Sequence, residues 1–263
     1  MRVLLISALC LLTAPAWAQD NPLLPSPTWD DLRVSVIGLD AEPPQDAGVL
    51  ELTAPFRAHE AAIVPVHITQ AADAPPLTAL SLIIDENPAP VAAEYEFGPA
   101  LMPLDFEVRV RVDGYSGVRA IATLEDGNPI MAGRFVRAAG GCSAPPGRDM
   151  AEVRQLMGQM RWRSSTEEGG EDGRQIGTLM IRHPNFSGLQ RDQLTLLPIP
   201  AHFIDRLEVR QGDETLFTMS AGISISEDPV FRFAYQPNGQ PIHVHVEDTN
   251  GNIWDESFDQ VSG

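Results

Sequence analysis

Lysine is missing altogether: every one of the 18 basic residues in this 263-residue chain is arginine. Schiff-base and lysine-nucleophile mechanisms are therefore excluded. Cysteine is nearly missing too, with Cys10 and Cys142 its only instances. No nucleophile elbow, phosphate loop, paired-cysteine redox motif or haem-attachment sequence occurs. Beyond the N-terminal leader, no apolar run is long enough to span a bilayer, so membrane insertion is not expected. Positive charge is scarce, 18 basic groups against 36 acidic ones giving a net charge of −18. Nucleic acid and anionic membrane surfaces are accordingly poor partners. An acidic surface suits a basic protein partner, or serves solubility alone.

What is present begins with an export signal. Arg2 is a minimal positive region, residues 3–12 are apolar, and Ala16-Trp17-Ala18 places small residues where a signal peptidase reads. Cleavage after Ala18 is expected, removing residues 1–18 and leaving a periplasmic protein of about 245 residues, enough for one large or two ordinary domains. Cys10 is discarded with the leader, and Leu9 before it is not the small residue of a lipoprotein signal. Cys142 is then the single thiol in an oxidising compartment, either free and reactive or paired with another molecule. A buried, inert thiol is the alternative. The flanking Gly140 and Gly141 give backbone freedom, and Pro145 and Pro146 keep the segment out of sheet and helix, which favours a mobile, reactive loop. The nearest cations in sequence, Arg137 and Arg148, are candidate anion contacts that would lower the thiol pKa or hold a sulfonate; simple solvent exposure is their other role.

The chain divides at this cysteine. Short apolar or alternating runs at 33–39, 49–53, 63–69, 77–84, 106–112, 118–124 and 130–136, punctuated by Pro, Gly, Asn and Asp, predict strands. The strict alternation of Phe106-Glu107-Val108-Arg109-Val110-Arg111-Val112 puts apolar side chains on one face and charges on the other. After a flexible segment, Asp149 as N-cap and Glu152 predict a helix start, with Met150, Val153, Leu156, Met157 and Met160 at helical spacing as core packing. Residues 164–173 read as a polar linker. Strand patterns return at 177–182, 203–210, 215–219, 230–235, 242–247 and 253–258, with Asp248-Thr249-Asn250-Gly251 as a hairpin turn. The expected fold is all-β: two immunoglobulin-like β-sandwich domains, 30–138 and 176–260, joined by a cysteine-bearing loop, a short helix and a polar linker within 139–175.

Histidine offers two further candidates. His243 and His245 alternate on one predicted strand and so face one side, but no third ligand is apparent. His183 and His202 sit in loops that can approach each other, where structural hydrogen bonding is the expectation. Neither pair is expected to hold a metal, and no cofactor is implied.

The run Met180-Ile181-Arg182-His183-Pro184-Asn185-Phe186-Ser187-Gly188-Leu189-Gln190-Arg191-Asp192, followed by Ile199-Pro200-Ala201-His202-Phe203-Ile204 and Asp228-Pro229-Val230-Phe231-Arg232-Phe233, closely resembles SoxZ. Residues 32–142, ending in Gly140-Gly141-Cys142, resemble SoxY, the cysteine-bearing subunit of the same sulfur-oxidation carrier. The whole is similar to a fused SoxYZ-like carrier, and most similar to the branch associated with quinoprotein dehydrogenases, in which Ser-Ala-Pro follows the cysteine. The resemblance implies a non-enzymatic carrier with sulfur intermediates attached covalently to Cys142, periplasmic sulfur-oxidation enzymes as partners, and two halves packed together. It departs from the family in two respects: Cys142 is internal and tethered at both ends, where the family's cysteine ends a free arm, and it is followed by Ser143-Ala144-Pro145-Pro146 instead of glycine. A competing reading makes the chain an accessory to a quinoprotein dehydrogenase or its cytochrome, with the cysteine dispensable. A thiol enzyme is the weakest reading, because no second cysteine is available as a resolving thiol.

Overall fold

The computed structural model describes residues 21–147, 150–165 and 173–260. Residues 1–20, where the leader is expected, Arg148, Asp149, expected as a helix cap, and most of the polar run 164–173 lie outside the described residues. The first half contains β1 Leu50–Thr53, β2 Val64–Gln70, β3 Leu77–Ile84, β4 Val91–Phe97, β5 Asp105–Val110, β6 Ser116–Leu124 and β7 Pro129–Val136. The second contains β8 Met160–Ser165, β9 Gln175–Ile181, β10 Ile204–Gln211, β11 Glu214–Ala221, β12 Val230–Tyr235, β13 Ile242–Asp248 and β14 Ile253–Phe258. Helix α1 spans Pro27–Ser35 and α2 spans Met150–Leu156.

These strands form two antiparallel sheets, ordered β1-β2-β5-β12-β9-β8 and β14-β13-β10-β11-β4-β3-β6-β7. Both sheets read the same from either end once seven is subtracted from each strand number of the second half. Each half is thus a seven-stranded immunoglobulin-like sandwich with identical wiring, a repeat invisible in the residues themselves. The halves meet strand to strand rather than across a linker. In the smaller sheet β5 pairs with β12, placing Phe106 opposite Phe233 and Glu107 opposite Arg232. In the larger one β4 pairs with β11, with Phe97 opposite Phe217. Pairing of this kind removes two sheet edges that would otherwise invite aggregation.

One core cluster runs through both halves. At the junction, the Phe106 ring lies 5.1 Å from Tyr95, 5.5 Å from Phe97, 5.3 Å from Phe217 and 6.2 Å from Phe233. Such edge-to-face and offset contacts add to the burial itself. Alternation along the strands delivers these rings inward, as in β5, where Phe106, Val108 and Val110 are buried and Arg109 is exposed.

Three segments differ from expectation. The strand expected at 33–39 does not form: Pro27–Ser35 is helical because the Ser26 hydroxyl caps Trp29 N at 3.2 Å and Pro27 opens the first turn. The helix buries Trp29 with its ring 4.2 Å from the guanidinium of Arg119, which is itself hydrogen-bonded to Asp85. Ser164 and Ser165 belong to strand β8, paired with Gly177 and Ile176, rather than to the linker. Strand β4 escapes sequence reading because adjacent alanines are weak strand formers; pairing on both sides, with β3 and β11, overrides that preference.

With both sheets shared, the two halves are expected to unfold together. Urea denaturation followed by tryptophan fluorescence and by near-UV circular dichroism should give coincident transitions. Phe106→Ala should lower the stability of the whole chain by about 3–5 kcal/mol in the same titration, without separating the halves.

Candidate functional site

Strand β5 ends at Val110, and the three residues beyond it build the floor of the site. Arg111 N donates to Ser224 O at 2.7 Å and Val112 N donates to Ala61 O at 2.8 Å, which continues the sheet irregularly toward the second half. Gly140 N donates to Asp113 O at 2.8 Å and Gly141 N to Val112 O at 3.2 Å, so the segment entering the cysteine lies flat on that floor. Gly140 has φ +73°, a backbone turn that side chains resist. A Cβ on Gly141 would collide with Ala61 O and stand 2.6 Å from Val112 O. This pair of glycines therefore serves a turn and a close approach, not the free motion expected from sequence.

Cys142 is fully buried, at 0 % exposure, which corrects the expectation of a mobile, exposed thiol. Its N–H donates to Asp113 Oδ1 at 3.0 Å, and its carbonyl accepts from the Ser187 hydroxyl. Gln190 Nε2 donates to Ala144 O at 2.8 Å, and Gly147 N donates to Glu227 Oε2 at 2.9 Å. The first half thus supplies the floor and the second half supplies the clasp. Ser187 and Gln190 are joined as well, Ser187 N donating to Gln190 Oε1 at 3.1 Å.

Electrostatics follow from that enclosure. Burial, reinforced by the Asp113 carboxylate and opposed by Arg111, pushes the Cys142 thiol up to about 11. Docked, the sulfur is a protonated and unreactive thiol near neutrality. Arg111 is 1 % exposed, and its Nη1 and Nη2 donate to Gly141 O and Asn185 O, each at 3.3 Å, bridging loop and clasp. Desolvation lowers its pKa while the Glu227 charge holds it up. Beside it opens a cleft of about 350 Å³ lined by Arg109, Arg111, Arg182, Glu227, Asp228 and Pro145, among others. Arg182 is engaged there by Asp228 at 2.7 Å.

The residues expected to serve the thiol fare unevenly. Arg137 stacks its guanidinium 4.6 Å from the centre of the Phe56 ring and pairs its backbone with that residue, so it braces a turn; the cation that acts on the thiol is Arg111. Arg148 lies outside the described residues. His243 bonds Ser257 at 2.7 Å, and His245 bonds Asp255 and Glu247 at 2.7 and 3.0 Å, making an ordinary solvated strand face. His183 and His202 do meet, with ring centroids 4.9 Å apart. Val153 of the predicted methionine-rich helix packs with Phe186 and Ile199 under the clasp.

Sequence reading missed Arg111, Asp113, Asn185, Ser187, Gln190 and Glu227. Alternation assigned Arg111 to the charged outer face with Arg109, and only the end of β5 at Val110 and the covering loops reverse that. For Ser187 and Gln190 the signal lay in the run 180–192, which stood out without showing what it touches.

Alkylation of Cys142 by iodoacetamide at about pH 8, followed by intact mass, is expected to be at least about tenfold slower in the native chain than in urea, since each unit of raised pKa costs a factor of ten in thiolate. Gly141→Ala, which cannot seat on the floor, should close most of that gap. An equal rate in native and unfolded chains would contradict the docked arrangement.

Comparison with known proteins fits this division of labour. The family model of sulfur oxidation protein SoxY matches residues 35–142, ending on the cysteine itself, and that of sulphur oxidation protein SoxZ matches residues 167–259. The sulfur carrier protein SoxY from Chlorobium limicola f thiosulfatophilum is 22 % identical over 42 % of this chain and 91 % of its own, with a TM-score of 0.35. No curated protein sequence matches the chain. Floor and cysteine thus fall within the SoxY match and the clasp within the SoxZ match, and the chain is a fused SoxYZ-like member of these sulfur-oxidation families.

Proposed function

We propose that this chain is a periplasmic covalent carrier that holds sulfur intermediates on Cys142 while separate enzymes of thiosulfate and sulfur oxidation process them. The observation that carries this reading is the clasp: a SoxZ-matched segment is spent on gripping the loop around the single thiol of the SoxY-matched half. A carrier thiol in an oxidising compartment needs protection between loadings. Docked, it is protonated and enclosed. Undocked, it returns to the ordinary thiol range, where a few per cent is thiolate near neutrality and able to react.

Loading with thiosulfate would join the cysteine sulfur to the outer sulfur as Cys–S–S–SO3−, releasing one proton and two electrons to a partner oxidant such as a cytochrome. The chain itself turns nothing over; the disulfide-type bond holds the cargo until a partner acts on it. Leu194, Leu196 and Leu197, at 94 %, 67 % and 64 % exposure, lie in the loop that follows Gln190 in the chain. An apolar surface so close to the clasp suits a partner that frees the loop as it docks.

The burial of Cys142 also favours a second reading, an accessory of a quinoprotein dehydrogenase in which the sandwich docks and the thiol is inert. Peptide mapping of protein taken from its native compartment, with and without reductant, separates the two. Carriage predicts a reductant-labile mass increase on Cys142, and loss of all function in Cys142→Ser. An unmodified thiol that refuses thiosulfate plus oxidant, with function intact in Cys142→Ser, would leave the accessory reading standing.

A further inference from the structure

Away from the cysteine, the described residues bring together one other set of ligating side chains: His183, His202 and Asp248. The Nε2 atoms of both histidines point at Asp248 Oδ2, at 3.3 and 2.6 Å, and the three ligand atoms lie within 4.8 Å of one another. His183 and Asp248 side chains are fully enclosed, while His202 keeps 14 % exposure.

Proton placement around His183 shows why this is more than a hydrogen-bonded knot. Asn185 is held in one orientation, its Nδ2 donating to Ser226 O at 2.8 Å and its Oδ1 accepting from Ile204 N at 3.0 Å. His183 Nδ1 stands 2.7 Å from that same Oδ1, a contact that is attractive only when Nδ1 carries the proton. A neutral ring then aims the bare lone pair of Nε2 at a carboxylate oxygen 3.3 Å away. The other tautomer lets Nδ1 accept from Asn185 N at 3.1 Å and Nε2 donate to Asp248, but it sets the Nδ1 lone pair against Asn185 Oδ1 at 2.7 Å. An imidazolium would resolve both contacts, but a ring with no exposure pays heavily for charge. The carboxylate is in addition already satisfied, with Oδ1 accepting from Asn250 N and Asn252 N and Oδ2 from Asn252 Nδ2.

A bound cation removes the conflict at Nε2, because both imidazoles can then be neutral and donate their Nε2 lone pairs. We propose that His183, His202 and Asp248 form a divalent-cation site of zinc type, with two imidazoles, one carboxylate and a remaining position for water on the exposed side of His202. Two histidines and a carboxylate are a donor set that zinc accepts. The Nδ1–H to Asn185 Oδ1 bond is the outer partner that orients such a ligand. The cation would also brace the clasp, since Asn185 O receives Arg111 Nη2 and Ser187 grips the cysteine loop.

The test uses full-length chain carrying Cys142→Ser, so that the thiol cannot compete, stripped with chelator and titrated with zinc by calorimetry and with cobalt by visible absorbance. One equivalent is expected, with tetrahedral cobalt bands and quenching of Trp254, whose ring lies 6.0 Å from that of His183. His202→Gln should weaken binding by at least about tenfold, the loss seen even for outer-sphere partners, with near-UV circular dichroism confirming the fold. His243→Gln with His245→Gln should change nothing. Absence of stoichiometric zinc binding, binding that survives both His202→Gln and Asp248→Asn, or a His183 imidazolium seen by NMR at neutral pH in zinc-treated protein would each overturn the proposal.

Discussion

Pairing of β5 with β12 over three residue pairs, sealed by the aromatic rings around Phe106, is the constraint on which the site depends. The chain leaves β5 directly into Arg111, Val112 and Asp113, and reaches β12 from Ser224, Ser226 and Glu227. Floor and clasp are therefore extensions of the same seam, joined again by Arg111 N to Ser224 O and Ser226 N to Arg109 O. A shift of one residue along that seam would turn side chains to the opposite face and part Asp113 from Cys142. The rings fix register as well as stability.

Arg111 sits where the seam becomes the site. It is a buried cation that donates to carbonyl oxygens from two segments, one from each half. Such an arrangement is costly to desolvate and intolerant of a missing partner. Its value is geometric, because it joins the carbonyl of Gly141 to that of Asn185 only while loop and clasp are both in place. Asp113 does the complementary work, holding Cys142 N and raising the thiol pKa with the same carboxylate.

Much of the fold was legible. Alternation and turn residues located most strands, and the Asp248–Gly251 hairpin closes as its residues indicate, with Glu247 opposite Ile253 and φ +79° at Gly251. The shared sheets were not legible, since nothing in Phe97 or Phe106 states which strand lies beyond the edge; only the packed rings decide it. The cysteine was found by its isolation, and its two glycines were misread as freedom because a glycine needed for close contact looks the same in sequence as one needed for motion. Arg111 was hidden by a period of two that continues in the residues after the strand has ended. Asp248 read as a turn residue, which it is, while its other oxygen lies against two histidines from distant loops.

The position of the cysteine within the connection between the halves also sets a length scale. Ala138, 6 % exposed, is the last core residue before it, and Val153, 8 % exposed, is the first buried residue described after the loop. An extended chain covers about 3.3–3.6 Å per residue, so the short side of this tether allows the sulfur to travel roughly 14 Å from Ala138, however far the long side stretches. Any catalytic centre that meets Cys142 while both halves stay folded must lie within that radius, in a shallow basin on its own surface and not at the bottom of a narrow tunnel.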